Sequence, residues 1–244
     1  MVSITDVIHD VSDKGLIHIS RKIPGYCYRR FFRPIFPRGE PSIYNEVLVG
    51  RYRPKIDDYV LFNTISHKPE YKSTNIKGLQ ESVFVGDSVG IIGGGFGVTA
   101  VIAARLSDSE SVHVYEASGE RVEIIEETRS LNDVDFTIHH SAIGDIKEAP
   151  GNRGDYNTIS PSSLPYFDVI EMDVEGAETK IINQLELLPE TIIVETHGFL
   201  GSPSFETIDV LRNKGYDIVW KRPVMSGIEY AEKNDAYVIK ARLN

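Results

Sequence analysis

The sequence has little of several residue types, and each shortage excludes a class of protein. Its 244 residues include one cysteine, one tryptophan and three methionines. A lone Cys27 cannot form an internal disulfide framework, which favours a reducing compartment. No apolar run approaches the 18 residues of a membrane-spanning helix, and the first residues lack a signal-peptide pattern. We therefore expect a cytoplasmic protein without a membrane span.

Positive charge is also scarce, and it is unevenly distributed. The chain has 26 Lys and Arg against 36 Asp and Glu, a net charge of −10. Residues 21–55 hold nine basic and two acidic residues, a net +7, which leaves −17 for the remainder. The acidic remainder argues against a general nucleic-acid binder. The basic segment is interpreted as a solvated face or as a contact for a small anionic acceptor.

The two parts of the chain have different patterns. Residues 1–80 contain scattered prolines and arginine-flanked aromatics, which predict an N-terminal cap with short strands near residues 15–20 and 57–63. From residue 81 to 244, apolar strands alternate with helical patterns. We predict an α/β fold there, with a doubly wound and mostly parallel sheet. The last two strands should form an antiparallel pair at its edge.

A glycine-rich turn, "IIGGGFGVTA", lies between the first predicted strand and helix of this domain. Gly93, Gly95 and Gly97 match the loop that binds S-adenosylmethionine, whereas Gly95, Gly97 and Ala100 match the dinucleotide fingerprint. Both cofactors require an acidic residue at the end of the second strand, where Glu116 stands. The turn therefore predicts a nucleoside cofactor and leaves the choice between the two open.

A run of carboxylates ends the fourth strand of the domain, in "DVIEMDVEGAE". Strand alternation places Glu171 on the same face as Asp173, so we expect Glu171 to reach solvent or to pair with a cation. Asp173 falls at the strand tip, where sites of this fold class are built. Glu175 and Glu178 fall at the start of the next helix, where its dipole favours acids.

The following strand ends in "IIVETHG", which places Glu195 beside His197. His197 is the best histidine candidate for a general base. Asp173, Glu175 and Glu195 could offer oxygen ligands to a divalent cation. No fixed ligand spacing supports a metal, and none is predicted.

These motifs together resemble the FkbM-type class I methyltransferases over residues 86–197. "DVIEMDVEGAE" is similar to the family signature D-x-x-K-x-D-V-E-G-A-E, "VYEAS" to its ribose-binding acid, and "IIVETHG" to its late E-x-H strand. "HHSAIGD" resembles the segment whose small residues flank the adenine. The resemblance implies S-adenosyl-L-methionine as cofactor and O-methylation of a sugar, glycan or natural-product-like acceptor.

The resemblance also assigns residues to roles. It implies Asp173, Glu195 and His197 as catalytic residues. The cofactor-binding residues that it implies are Gly93, Gly95, Gly97, Glu116, Ala117, Ser141, Ala142 and Asp173. Three positions depart from the family pattern: Ile91 replaces an acid, Ala117 a proline and Glu171 a lysine.

Two alternatives remain open at this stage. An NAD(P)-dependent oxidoreductase could use the same glycine turn, but the sequence has no recognisable Ser/Tyr/Lys set for hydride transfer. A non-catalytic binding protein of the same fold is suggested by Ile91, since an acid is expected there. The acceptor is expected to be a small molecule or glycan, with an anionic one favoured by the basic segment. The sequence does not decide the oligomeric state.

Overall fold

A computed structural model describes residues 38–52, 67–107, 111–144, 156–224 and 227–244. The strands predicted at residues 15–20 and 57–63, and most of the basic segment, lie outside these residues. The chain divides into two compact units, one of residues 1–42 and 51–66, the other of residues 43–50 and 67–244. In the first unit, the Gly39 N–H donates a hydrogen bond to the Tyr52 carbonyl.

The second unit contains the elements that carry the predicted motifs. The cap over residues 1–80 stays a prediction, and residues 67–80 belong to this second unit. A short three-stranded sheet has the order β2-β1-β3. Its strands are β1 (Ser42–Tyr44), β2 (Val47–Val49) and β3 (His67–Lys68).

The main sheet has eight strands in the order β10-β11-β9-β8-β4-β5-β6-β7. The chain runs outward from β4 to β7, then returns to β8 on the other side of β4, so the strand order reverses between β4 and β8. The strands are β4 (Val89–Ile92), β5 (Val112–Glu116), β6 (Thr137–Ile143), β7 (Asn157–Ile159), β8 (Val169–Met172), β9 (Thr191–Glu195), β10 (Tyr216–Pro223) and β11 (Tyr237–Leu243).

Strand direction confirms the predicted fold class. Strands β4 to β9 pair in parallel, while β11 pairs antiparallel with both β9 and β10. All four residues of β4 and of β8 are buried, as expected for inner strands covered on both faces. The antiparallel pair β10–β11 forms one edge of the sheet, as the sequence predicts.

Helices cover both faces of this sheet. The described helices are α1 (Ser73–Gln80), α2 (Val98–Ser107), α3 (Gly119–Leu131), α4 (Glu178–Gln184), α5 (Ser204–Asn213) and α6 (Ile228–Asn234). On one face, Ile181 and Ile182 of α4 and Leu211 of α5 pack with Ile170 and Met172 of β8 in one apolar core. On the other face, Gly78 of α1 lies against Ile193 of β9.

Two short helices, α1 and α6, have no counterpart among the sequence predictions. Helix α6 buries only Ala231, so its sequence carries no apolar period. Helix α1 lies before residue 81, where the predicted alternation of strands and helices begins. Within the described part of the chain, no helix is long and apolar enough to cross a membrane.

Candidate active site

The glycine turn joins β4 to α2 and lies beside the tip of β8. Gly93, Gly95 and Gly97 all have positive φ, at 92°, 57° and 83°. A Cβ on Gly93 would lie 1.9 Å from the backbone oxygen of Asp173, so that contact excludes any side chain. The nearest atom to a Cβ on Gly95 is the Tyr71 hydroxyl oxygen, at 4.0 Å. Gly93 is therefore required by packing, while Gly95 faces open space.

Glu116 at the end of β5 is bound to this turn. Its Oε2 accepts a hydrogen bond from the Gly95 N–H at 3.0 Å, and its Oε1 accepts one from the Ser118 N–H at 2.8 Å. Burial raises the pKa of Glu116, and the two N–H groups oppose that rise. The structure thus brings together the loop and the acid that the sequence pairs. Their role in binding a cofactor stays a prediction.

The other predicted cofactor residues follow β5 and β6. Ala117 connects Glu116 to Ser118, whose hydroxyl caps α3 by accepting from the Arg121 N–H at 3.5 Å. Ser141 and Ala142 are buried inside β6, where they pair with β7. Since the β5–β6 register ends at Glu116 and His140, Ser141 lies one residue beyond Glu116, towards the carboxyl edge of the sheet.

Glu171 of β8 is completely buried, which its sequence position leaves unexpected. Its two carboxylate oxygens accept from the Asn75 amide at 2.9 Å and from the Thr99 hydroxyl at 3.2 Å. The Lys72 ammonium lies 3.7 Å from its Oε1. Of the two expected environments, pairing with a cation is therefore the observed one. Burial raises the pKa of Glu171, and Lys72 opposes that rise.

The register places Glu171 directly across from Ile91 of β4. Paired residues of parallel strands point to the same face of the sheet, so this carboxylate lies one strand away from Ile91, where the sequence resemblance would predict an acid. Through Thr99, Glu171 also holds the first turn of α2, the helix that follows the glycine turn. The acid missing at residue 91 thus has a buried neighbour on β8.

Lys72 is the central cation of the site, although it lies outside every motif of the sequence. Its ammonium donates to Asp173 Oδ2 and lies 4.0 Å from Glu195 Oε2, besides its contact with Glu171. Burial alone would lower the pKa of Lys72, but the three carboxylates raise it well above the ordinary value. Its backbone is left-handed, with φ 53° and ψ 28°, just before α1 begins. The sequence offers one indirect indication of such a cation: so many neighbouring carboxylates require a positive charge nearby.

His197 follows β9 and is held between acidic residues. Its Nδ1 lies 2.7 Å from Glu178 Oε1, and its Nε2 lies 3.5 Å from Asp173 Oδ1 and 3.8 Å from Glu195 Oε1. Glu178 is fully buried and also accepts from the Gly176 N–H. Glu178 therefore orients the imidazole, a role that its position at the start of α4 did not predict.

These surroundings shift the ionisation of three groups. Burial tends to lower the pKa of His197, but the hydrogen bond with Glu178 and the charges of the nearby acids raise it to about 9. Burial and then the charge of Asp173 raise the pKa of Glu195 to about 7. Burial also favours neutral Asp173, yet Lys72 and then His197 bring its pKa below the ordinary value. At neutral pH the histidine is therefore an imidazolium, and Glu195 is close to its titration midpoint.

The cluster also resembles a cation site in its geometry. Asp173, Glu178 and His197 could each offer one ligand atom, all within 4.8 Å of one another. Glu175 and Glu195, the other carboxylates considered from the sequence, are not part of that group among the described residues. His197 Nδ1 is already engaged by Glu178, and the Lys72 ammonium lies among the carboxylates. The cluster is thus compensated by its own cations.

Two cavities open beside the cluster. They have volumes of about 330 Å³ and about 260 Å³, and both are lined by Glu175, Glu195, His197 and Tyr230. The smaller cavity also reaches Lys72 and Asp173. The polar cluster therefore faces space that a small molecule can enter, at the carboxyl edge of the sheet where open α/β sheets bind ligands.

Comparisons with known proteins identify the fold. No protein-family model matches the sequence, and no curated protein matches it. Trm5b from Pyrococcus abyssi superposes with a TM-score of 0.52 at 12% identity, covering 83% of this chain and 55% of that one. The ribosomal protein L11 methylase from Lactobacillus delbrueckii subsp. bulgaricus gives 0.50 at 17% identity, with 79% and 91% covered.

TYW2 of P. horikoshii in complex with MeSAdo is also similar, with a TM-score of 0.50 at 15% identity and coverage of 80% and 70%. This chain spans about 55% of the length of Trm5b. At such identities the likeness concerns the fold. The chain has the fold of class I S-adenosylmethionine-dependent methyltransferases.

Proposed function

We propose that this protein is an S-adenosylmethionine-dependent methyltransferase that acts on a hydroxyl oxygen. The observation that carries the proposal is the meeting of two features at the point where strand order reverses. The glycine turn after β4 contacts the backbone of Asp173 after β8, and the carboxylates of Asp173 and Glu195 face the adjacent cavity. Crevices at this point of open α/β sheets are the usual ligand sites.

The residues present fit the proposed cofactor. Asp173 Oδ1 is buried, and no described residue donates a hydrogen bond to it, so it suits an ammonium group such as that of methionine. Gly95 leaves its side of the turn open, and Glu116 lies next to it for a ribose hydroxyl. When bound there, S-adenosylmethionine would supply an electrophilic methyl group. NAD and NADP remain the comparison cofactors for the test below.

We assign the general base to Glu195 in preference to His197. Burial and the charge of Asp173 raise the pKa of Glu195 to about 7, which matches a group that accepts a proton from a hydroxyl near neutral pH. His197, with a pKa of about 9, is already protonated and can only donate hydrogen bonds. Its Nε2–H lies between Asp173 and Glu195, where it stabilises negative charge on either one.

The finer features of the proposal derive from the sequence resemblance. The FkbM-like signature around Asp173 supports an acceptor hydroxyl on a sugar, glycan or natural-product-like molecule. We propose the cytoplasm as its location, on the basis of the single cysteine. The acidic remainder of the chain disfavours a long polyanion as acceptor. The L11 methylase acts, by its name, on a ribosomal protein.

Calorimetry with S-adenosylhomocysteine, NAD and NADP tests the cofactor assignment. We expect S-adenosylhomocysteine alone to bind, and Gly95→Val to abolish that binding because its side chain fills the open face of the turn. Phe84→Ala is the control, since Phe84 is 70% exposed and precedes β4 at the opposite edge of the sheet. Binding of NAD or NADP instead would overturn the proposal. Mass spectrometry of products from a panel of hydroxylated acceptors then tests the methyl transfer.

A further inference from the structure

Tyr71 lies where the glycine turn meets the smaller cavity, and it is outside every motif of the sequence. Its hydroxyl oxygen is the nearest atom to a Cβ on Gly95, at 4.0 Å, and its side chain lines that cavity with Glu195 and His197. The proposed function places the cofactor on the turn and the general base Glu195 beside the cavity. Tyr71 therefore stands at the boundary that the methyl group has to cross.

Backbone and ring contacts fix the position of this side chain. The Tyr71 N–H donates to the Lys68 carbonyl at 3.2 Å, and the Asn45 side-chain amide donates to the Tyr71 carbonyl at 3.2 Å. The Tyr71 ring centroid lies 4.9 Å from that of Tyr44 in β1 and 6.0 Å from that of Phe96 in the turn. The ring is thus packed against the turn itself, and its oxygen is held at a defined place beside Gly95.

The Tyr71 hydroxyl is neutral, and among the described residues it has no hydrogen-bond partner. Burial raises its pKa, and the charges of Lys72 and then Arg121 oppose that rise. The charges of Asp173 and Glu195 add to the rise. Near neutral pH the group is therefore an uncharged dipole among two cations and two carboxylates. It offers one hydrogen to donate and two lone pairs to accept, all of them available to a ligand.

We propose that the Tyr71 hydroxyl oxygen contacts the methyl-bearing sulfonium of the cofactor and directs the methyl group towards Glu195. This inference rests on the proposed function, because it names the residue that orients the reactive end of the cofactor. An oxygen with free lone pairs suits that end, since the C–H groups beside a positive sulfur are polarised towards donation. Methyl transfer requires donor and acceptor in line, so a group that restricts the direction of the methyl raises the rate.

The shared cavity favours the sulfonium over the other polar groups of the cofactor. The methyl is the one part of the cofactor that has to reach the side of the general base, and Tyr71 and Glu195 line the same space. The ammonium group is already assigned to Asp173 Oδ1. A hydroxyl that donated to the cofactor carboxylate would recognise S-adenosylmethionine and S-adenosylhomocysteine equally, because both carry that carboxylate. A contact to the sulfonium methyl would distinguish them.

Calorimetry of Tyr71→Phe with S-adenosylmethionine and S-adenosylhomocysteine tests the proposal. The two ligands differ only by the methyl group and its positive charge, and phenylalanine keeps the ring that packs on Tyr44 and Phe96. We expect the affinity for S-adenosylmethionine to fall about 3- to 10-fold, and that for S-adenosylhomocysteine by less than about 2-fold. An equal loss for both ligands would place the hydroxyl on a shared group and overturn the proposal, as would no loss for either.

A control variant and a second measurement support this test. Tyr166→Phe removes the same oxygen from a tyrosine that is 46% exposed and precedes β8 at the opposite edge of the sheet, so both affinities should stay unchanged. Nuclear magnetic resonance of S-adenosylmethionine labelled in its methyl group reports the contact directly. A C–H···O contact moves the methyl proton resonance downfield, and the shift should be smaller in Tyr71→Phe, which has a similar ring. Identical methyl resonances in the two proteins would contradict the contact.

The outcomes separate this inference from the proposed function. If the native protein binds both ligands and Tyr71→Phe changes neither affinity, the assignment of Tyr71 fails and the cofactor assignment stands. If the native protein binds neither ligand, the proposed function itself fails.

Discussion

The cofactor side of the site consists mainly of backbone, whereas the acceptor side consists of charged side chains. On the cofactor side, the turn at residues 93–97 acts through bare backbone, and its shape follows from positive φ angles and close packing. On the acceptor side, the working groups are side chains from separate segments, namely Lys72, Glu178, Glu195 and His197, which meet at Asp173 between the two sides. Steric contacts therefore determine the geometry of the cofactor side, and attraction between opposite charges determines that of the acceptor side.

This difference determines how each side responds to change. The backbone of the turn carries no titratable group of its own, and its main constraint is that an added atom has no room at Gly93. A cluster of coupled acids and bases changes its charge whenever one member is altered, because each group shifts the pKa of its neighbours. Mutations on the cofactor side should therefore act on stability and binding, and mutations on the acceptor side on pH dependence and turnover.

The largest effect is expected from Gly93→Ala, which tests the steric side. The new Cβ would lie 1.9 Å from the Asp173 backbone oxygen, at a φ of 92° that alanine disfavours. We expect the free energy of unfolding in urea to fall by more than about 3 kcal/mol. Gly95→Ala is the matched control, with φ 57° but no close atom, and should lose only about 1 kcal/mol. Equal stability of the two variants would refute the steric account.

Glu195→Gln should have the next largest effect, on the side fixed by charge. Glutamine keeps the shape of the side chain but cannot accept the proton, so turnover should fall by about 10²- to 10⁴-fold. Calorimetry should show an unchanged affinity for S-adenosylhomocysteine. Glu190→Gln makes the same chemical change at an exposed position just before β9 and serves as control. Undiminished turnover in Glu195→Gln would show that another residue is the general base.

Glu178→Gln should have a smaller effect, a lower pKa of the His197 imidazole. Nuclear magnetic resonance of the imidazole measures this pKa. Without that carboxylate, burial is opposed only by the charges of Asp173 and Glu195, so the pKa should fall below about 9. The alkaline limb of the pH–rate profile should move to lower pH. In the native protein, the pKa of His197 is higher in the folded state than in the unfolded state. Protonated His197 therefore stabilises the fold fully below pH about 6.5, and this stabilisation is lost as the pH rises through about 9.

Two control variants support that titration. His197→Asn assigns the resonance among the seven histidines of the chain. Glu186→Gln changes an exposed acid just beyond α4 and should leave the titration of His197 as it is. If Glu178→Gln left it unchanged as well, the hydrogen bond would not be the cause of the raised pKa.

Lys72→Met should give the smallest effect, which is a shift of the acid limb of the pH–rate profile. Lys72 opposes the rise in the pKa of Glu195, so its removal should raise that pKa above about 7. The carboxylate form then requires a higher pH, and activity should begin to rise later as pH increases. Lys77→Met, on the exposed part of α1, is the control. An acid limb that stays in place would exclude Lys72 as the counter-ion of Glu195.

The two sides also differ in how far the sequence predicts them. The order of strand, turn, helix and acid predicts that Gly95 and Glu116 meet, because local backbone rules decide the geometry. Asp173, Glu195 and His197 are predicted together because strand ends share one edge of a parallel sheet. The sequence resemblance to the FkbM-type family has no matching family model, whereas the fold class is confirmed.

The partners of these residues could not be predicted from the sequence. Lys72 lies about 100 residues before Asp173 in the chain and outside every motif, so only the packing of α1 on the sheet reveals the contact. Glu178 has the features of an ordinary acid at a helix start, and its burial depends on how α4 packs. Glu171 has the second of its two expected environments, a cation, but Asn75 and Thr99, which also donate hydrogen bonds to it, could not be predicted as its partners.

The left-handed backbone at Lys72 has a consequence for the evolution and engineering of this chain. A φ of 53° costs a lysine about 1 kcal/mol that a glycine would not lose. Glycine or asparagine would relieve that strain, but it would also leave Glu171 and Asp173 buried without their ammonium, which costs about 3 kcal/mol or more. A library screened only for heat resistance should therefore keep the lysine, and the strained backbone marks a position that is held by its side chain.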